Sequence, residues 1–295
     1  METVRLALVT DIHAGVERSN VRSGQAIALL DGVVQEANAR AADLLVTLGD
    51  NVNATSPEHD RHWLAEVKQS LSRCTAPAVP LFGNNEYKFL DADEAADALG
   101  CSAASEVRKL GGWTLLFWRP SCSLSLEEGP RLTAADLAWL ESALAAASYP
   151  AVLFLHAPID AHSMVGNLYF ENRPDLARYA NAAAARRVLE ASGKVVLVLA
   201  GHVHWNAAST INGIHYRTLA SLTDTFQSAE AAPPSGTWAL LELAGDGRMS
   251  LEVFGREPMS WSAPANAEGA RWRNPLPREA FDARMLALWK GGVAP

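Results

Sequence analysis

Cysteine is scarce in this chain. There are three, Cys74, Cys101 and Cys122, an odd number with no Cys-x-x-Cys spacing, which argues against a disulfide framework and against a structural zinc site. A basic excess is missing too: 25 Lys and Arg stand against 33 Asp and Glu, for a net charge of −8 and a pI near 5.5. Proteins that bind nucleic acid carry a basic footprint, so no nucleic-acid polymer is expected as partner. No apolar run approaches the ~20 residues that span a bilayer, so no membrane partner is expected either. The opening METVRLALVTDIH enters a strand at once, without a basic n-region or cleavage motif, which gives a cytoplasmic expectation.

What is present is an ordinary enzyme-like balance, 49% hydrophobic and 20% charged over 295 residues, enough to bury a sizeable core. The stretch Leu44–Asn53 (LLVTLGDNVN) organises the rest. A strand-like apolar run stops at Gly49 and delivers Asp50, as open α/β sheets deliver carboxylates to a site. An Asp after a strand is also a common cap or turn residue. Val4–Thr10 is a second such run, ending in Asp11-Ile12-His13. Residues two apart at a strand end point the same way, so Asp11 and His13 can converge on one ion. Between them, Ile27, Leu30, Val34, Ala37 and Ala41 follow a 3.6-residue period and predict an amphipathic helix from about 23 to 41.

The pattern recurs downstream. Pro80-Leu81-Phe82 runs into Gly83-Asn84-Asn85-Glu86, Ala151–Leu155 delivers His156, and Lys194–Ala200 ends in Gly201-His202-Val203-His204. Ser56-Pro57 and Thr133 with Asp136 open two further helices, and Asn181 is read as the cap of another. Hairpins are expected about Gly111-Gly112, Asn212-Gly213 and Gly245-Asp246-Gly247. Residues 158–180 show no period and mix aromatics with Asn, Glu and Arg, the composition of a lid or binding loop. From about 258 the chain is rich in Pro, Ala and Arg but keeps Trp261, Trp272 and Trp289. The reading is a catalytic domain over 1–257 and an extension over 258–295 packed on it.

Each strand end alone has an ordinary structural explanation, such as a capping Asp, a core His or an Asn-Gly turn. Together they place imidazole, carboxylate and carboxamide groups after five apolar strands, a donor set suited to first-row divalent ions: Mn, Fe, Co, Ni or Zn. Seven side chains exceed the four of a structural zinc site and suggest two ions.

On these residues the chain resembles the calcineurin-like metallophosphoesterase superfamily. The match runs through Asp11-Ile12-His13, Gly49-Asp50 with Asn53, Gly83-Asn84, His156 and Gly201-His202-Val203-His204. The resemblance implies an α/β fold, a four-layer αββα sandwich of two mixed β-sheets flanked by helices, with a dinuclear metal site at the strand ends. It implies that Asp50 bridges the ions, that Asp11, His13 and His204 complete one position, and that Asn84, His156 and His202 complete the other. Two divalent ions against the two carboxylates leave a positive pocket in an acidic protein. Such a pocket attracts a phosphate ester and activates a bridging hydroxide for in-line attack on phosphorus.

One position departs from the pattern. Where the superfamily has Gly-Asn-His-Asp/Glu, this chain has Asn85, and a carboxamide supplies no proton to a leaving group. That weakens a reading as a general phosphomonoesterase, and the first reading is a phosphodiesterase acting on a small organic or nucleotide-like substrate. The alternatives are a phosphomonoesterase that uses another acid (His59, His62, His162 or Tyr87) and a non-catalytic metal-binding interaction scaffold. Asp50, Asn85 and His204 are expected at the chemistry, and Asn53, Asn85, His162 and Arg173 at the substrate. Arg173 offers a bidentate fork from the 160–175 loop.

Overall fold

The computed structural model describes residues 3–18, 20–125, 127, 129–226, 232–265 and 277–290. Two six-stranded sheets face each other. The first runs, in spatial order, Met259–Pro264, Arg248–Phe254, Trp238–Leu243, Val4–Val9, Leu44–Thr47 and Ala78–Pro80. Its last three strands are parallel and the others antiparallel, so the sheet is mixed. The second runs Ala207–Ile211, Ile214–Thr218, Val195–Ala200, Ala151–Phe154, Trp113–Phe117 and Glu106–Leu110, parallel through its middle and antiparallel at both edges.

The central strands read as continuous apolar runs because both of their faces are covered. Leu6, Leu8, Leu44 and Val46 point between the sheets, against Leu115, Phe117, Phe154 and Leu199 of the facing layer. Ala7, Val9 and Leu45 point outward, under the helices Ala26–Ala39 and Pro57–Leu71 through Leu30, Val34, Leu64 and Val67. On the far side Leu116, Leu153 and Val198 are covered by Leu140 and Leu144 of Ala134–Ala146 and by Leu189 of Ala182–Ser192. The result is the expected four layers, with three sheets of apolar contact between them.

Local chemistry sets the helix starts. Ser56 accepts the His59 N–H, and Thr133 with Asp136 closes a capping box. Asn181 does not cap its helix. Its carboxamide instead pairs with both backbone groups of Leu132, at 2.9 Å each, which ties the helix start to the chain ahead of the previous helix. Asn38, Ser70 and Arg73 link the first two helices through Thr75 and Asp31.

Met259–Pro264 pairs with Arg248–Phe254 and is the edge strand of the first sheet, so a division at 257/258 falls between neighbouring strands. Trp261 packs edge-on to His215. The helix Arg278–Trp289 buries none of its side chains, and Trp289 is 85% exposed; Trp272 lies outside the described residues. Among the described residues no helix is long and apolar enough to cross a membrane.

Candidate metal centre

The parallel strands Val4–Val9, Leu44–Thr47 and Ala78–Pro80 end beside one another, and Ala151–Phe154 and Val195–Ala200 do the same in the facing sheet. The chain then turns sharply. Asp11, His13, Asp50, His202 and His204 all adopt the left-handed conformation, with φ of 50°, 48°, 51°, 71° and 58°. L-residues enter that region at a cost of roughly 1–3 kcal/mol each, and such strain gathers at functional sites. It is held by cross-loop backbone bonds: Asp11 N–H to Gly49 O, His13 N–H to Asp50 O, and Gly201 N–H to His156 O, at 2.9–3.0 Å.

Two glycines make the close approach possible. A Cβ on Gly83 would stand 2.2 Å from Asp50 Oδ1 and 2.6 Å from His156 Nε2, and one on Gly201 would stand 1.9 Å from Thr10 Oγ1. Glycine is required there by space, since neither has a left-handed backbone.

The side chains converge. His13 Nε2 and His204 Nε2 face each other at 2.9 Å, and Asp11 Oδ1 lies 3.3 Å from the latter. Asp50 presents Oδ2 to His13 at 3.8 Å and Oδ1 to His156 Nε2 at 3.4 Å. Asp11, His13 and His204, and again Asp11, Asp50 and His156, offer ligand atoms within 4.8 Å of one another.

The arrangement fits metal ions on two grounds. Asp11 Oδ1, Asn84 Oδ1 and His156 Nε2 are buried without a hydrogen-bond partner, a condition that costs several kcal/mol unless something binds there. Three of the histidines also have one ring nitrogen held by a group outside the cluster, and the other nitrogen of His156 is unpartnered. His156 Nδ1 bonds Leu48 O, His202 Nε2 bonds Leu176 O and His204 Nδ1 bonds Asp224, at 2.8–2.9 Å. Metal-ligating imidazoles are oriented in this way.

Charge follows the same geometry. Burial acts to raise the Asp11 pKa, yet facing His204, with His156 and His13, holds it well below the carboxylate range. Burial, with the neighbouring imidazoles His204 and His156, lowers His13 and His202 to about 4. Both rings therefore keep a free lone pair at neutral pH. Against burial, Asp11 and Asp224 raise His204 to about 10.

Around Asp50 the loop is assembled by Glu86. Its buried carboxylate accepts the N–H groups of Gly83 at 2.6 Å, Asn51 at 2.6 Å and Asp50 at 3.1 Å. Burial and the charge of Asp50 push its pKa up to about 8. Asn85 donates its backbone N–H to Asp50 Oδ1 at 2.9 Å and its side-chain amide to Oδ2.

The family model for calcineurin-like phosphoesterases matches residues 4–206, which contain every one of these strand ends. The chain belongs to that family. Like the family, it is a phosphoester hydrolase. Among curated proteins it is 26% identical over 261 residues to a probable cyclic nucleotide phosphodiesterase from Synechococcus sp., covering 85% of this chain and 92% of the relative. Its fold is shared with a dimetal phosphatase from Danio rerio (TM-score 0.72, 14% identity, 89% of this chain and 99% of that one). It is shared also with a yellow lupin purple acid phosphatase (TM-score 0.62, 13% identity), of which the match spans 54% and of this chain 89%.

Not every residue expected at the substrate of this phosphoesterase lies free to meet one. Asn53 is buried and spends its amide on Val16 O and Ser23 Oγ, at 2.8 and 3.0 Å. His162 is held by Asp160 at 3.0 Å and lines a hollow of about 260 Å³ with Met164 and Arg178. Arg173 is exposed and forks onto Asp175, Nη2 to Oδ2 at 2.7 Å, so its fork is already engaged. His59 and His62 are on the exposed face of their helix. Burial raises the Tyr87 pKa, which makes it a poor proton donor near neutrality.

The 158–180 segment is not a free lid. Tyr169 packs edge-on to His204 and Phe170 lies beside His202, with ring centroids 4.8 and 5.0 Å apart. Glu86, Asp224 and Tyr169 were not singled out as positioning residues from the sequence. Glu86 could have been, as the acid closing the Gly-Asn-Asn-Glu motif. Asp224 carries no local signal.

Proposed function

We propose that this phosphoesterase is a dinuclear-metal phosphodiesterase acting on small nucleotide-like esters, with Asp11, His13, Asp50, Asn84, His156, His202 and His204 as its metal ligands. The observation that carries the reading is the set of buried, unpartnered donor atoms at Asp11, Asn84 and His156 beside the facing pair His13 and His204. When bound, two divalent ions supply Lewis acidity toward a phosphoryl oxygen and lower the pKa of water toward ~7. The chain's own residues hold that chemistry in place. Asp11 and Asp50 bring two negative charges against the four positive charges of the ions, which leaves the pocket attractive to a phosphate inside an acidic protein.

Asn85 weakens the monoesterase alternative, because its amide is engaged with Asp50 and offers no proton. The Synechococcus relative, a probable cyclic nucleotide phosphodiesterase, supports the diester class.

Metal analysis of the purified protein, with a panel of bis(p-nitrophenyl) phosphate, p-nitrophenyl phosphate and 3′,5′-cyclic nucleotides, tests the proposal. Two equivalents of metal and faster diester turnover are expected. A monoester preference on the metal-loaded protein overturns the diesterase reading, and a metal-replete protein inert to every phosphate ester points to the scaffold alternative.

A further inference from the structure

The geometry points to Asp224 and Tyr169 as a positioning pair that sets the His204 ring for a metal ion, with the 158–180 loop acting as a strap across the Gly-His-Val-His turn. The inference rests on the reading of this centre as a metal site. Asp224 is buried, 2% exposed. Its Oδ2 accepts His204 Nδ1 at 2.8 Å and the Tyr169 hydroxyl at 2.5 Å, and its Oδ1 accepts Phe226 N–H at 2.8 Å. Its backbone is pinned as well: its N–H donates to Ser221 Oγ at 3.1 Å, and its carbonyl accepts Ser235 N–H at 2.7 Å.

An ionised carboxylate only accepts, so Asp224 fixes a proton on His204 Nδ1. Nε2 is thereby the nitrogen left facing Asp11 and His13, where a candidate ion would take the place of its proton. His204 needs such outside support. It lies beyond the end of its strand in a left-handed conformation, where neither strand nor helix hydrogen bonding orients it.

Tyr169 couples this to the loop. Its ring packs against His204, and its hydroxyl also takes a hydrogen bond from the Asn20 side chain. Two residues earlier, Asn167 Oδ1 accepts the N–H groups of Tyr169 and Phe170 at 3.0 Å each, while its amide donates to Val203 O at 2.8 Å. The loop is thus tied to the residue between the two histidines. Leu176 O holds His202 Nε2 from the same loop. The strap therefore reaches His202 and His204 alike, and Asp224 is the charged group at its anchor.

Partners of this kind are generally worth ~10–100-fold in metal affinity. The test is Mn(II) or Zn(II) affinity by chelator competition for the wild type, Tyr169→Phe and Asp224→Asn, alongside thermal midpoints of the metal-free proteins. Two ions on the wild type establish the centre. Against that baseline, Asp224→Asn is expected to bind one ion ~10–100-fold more weakly and the other nearly as before, with Tyr169→Phe between it and the wild type. The metal-free midpoints should stay within a few degrees of one another. Wild-type affinity in Tyr169→Phe and Asp224→Asn overturns the proposal, and so does a loss spread equally over both ions in step with a lower midpoint. Should Asp224→Asn not fold, Tyr169→Phe decides alone, since it removes one oxygen. A wild type that binds no metal refutes the reading of the centre rather than the pairing.

Discussion

His156 Nε2 and Asp50 Oδ1 stand 3.4 Å apart across the gap between the two sheets, one at the end of a strand in each. No covalent or backbone link joins them. They meet because five parallel strand ends finish at the same edge, with Gly83 leaving no Cβ between them. Asp50 therefore meets the His13 and His156 turns and the Asn85 loop at once.

Asp50→Ala is accordingly expected to remove both ions, whereas His204→Ala should weaken mainly the position shared with Asp11 and His13. Activity on an aryl diester should fall by at least ~10³-fold in Asp50→Ala, which corresponds to roughly 4 kcal/mol. Elemental analysis of dialysed protein, run beside the kinetics, checks the link. Two metals per chain with normal turnover in Asp50→Ala would remove Asp50 from its assigned place.

Glu86 makes a prediction about stability. Glu86→Ala leaves the buried N–H groups of Gly83, Asp50 and Asn51 without their acceptor. An unmet buried donor costs about 1–3 kcal/mol, so the variant should lose at least ~3 kcal/mol. Glu86→Gln keeps a carbonyl oxygen in place and should lose less. Urea unfolding of the two variants gives the comparison, and equal losses would mean that volume, not hydrogen bonding, is what Glu86 contributes.

The strand ends were legible in the sequence for a physical reason. A strand buried on both faces is an unbroken apolar run, so the first polar residue after it is conspicuous, and Asp11, Asp50, His156 and His202 each follow such a run within two residues. Asp224 was not legible: it sits in the irregular stretch Ser221–Phe226, reaches His204 from 20 residues away, and has no periodic neighbour to mark it. Asn181 shows the opposite failure. Its residue type favours a cap, but two backbone groups of Leu132 compete for the same carboxamide and win. Composition alone could not say whether tryptophans beyond residue 257 are packed, and Trp261 and Trp289 turn out differently: one meets His215, the other faces solvent.

A pH dependence follows from Asp160, away from the metal residues. Its Oδ2 accepts His162 Nδ1 and Ser209 Oγ. Burial acts to raise its pKa, but the bonds from His162 and Ser209 prevail and lower it below 3.8. A carboxyl with a depressed folded-state pKa stabilises the protein above its unfolded value, and that contribution is lost as pH falls through the folded-state value. Asp160→Asn should therefore cost ~1.5–3 kcal/mol at pH 5–7, the range for hydrogen bonds to a charged group. The gap from the wild type should narrow below pH 3.8. Unfolding curves at pH 7, 5 and 3 measure it, and a gap that does not change with pH would assign the effect to shape rather than charge.

Asn85 carries the sharpest prediction, because it occupies the place where the family's pattern supplies a proton and is instead bound to Asp50 by both its amide and its backbone N–H. Without that acid, turnover should depend steeply on the pKa of the departing alcohol. Aryl esters should outrun alkyl esters of similar size by ~10²–10⁴-fold, the usual worth of a positioned acid. Asn85→His should flatten the dependence by accelerating the alkyl esters, provided the imidazole turns from Asp50 toward the leaving oxygen. The backbone N–H of residue 85 can still reach Asp50 Oδ1 in that variant, so the loop keeps one of its two anchors. If Asn85 is instead a substrate contact with a different donor nearby, the wild type already hydrolyses alkyl esters well and Asn85→His only loses activity. A leaving-group series on both proteins separates the two accounts, and a shallow wild-type slope would reject the missing acid.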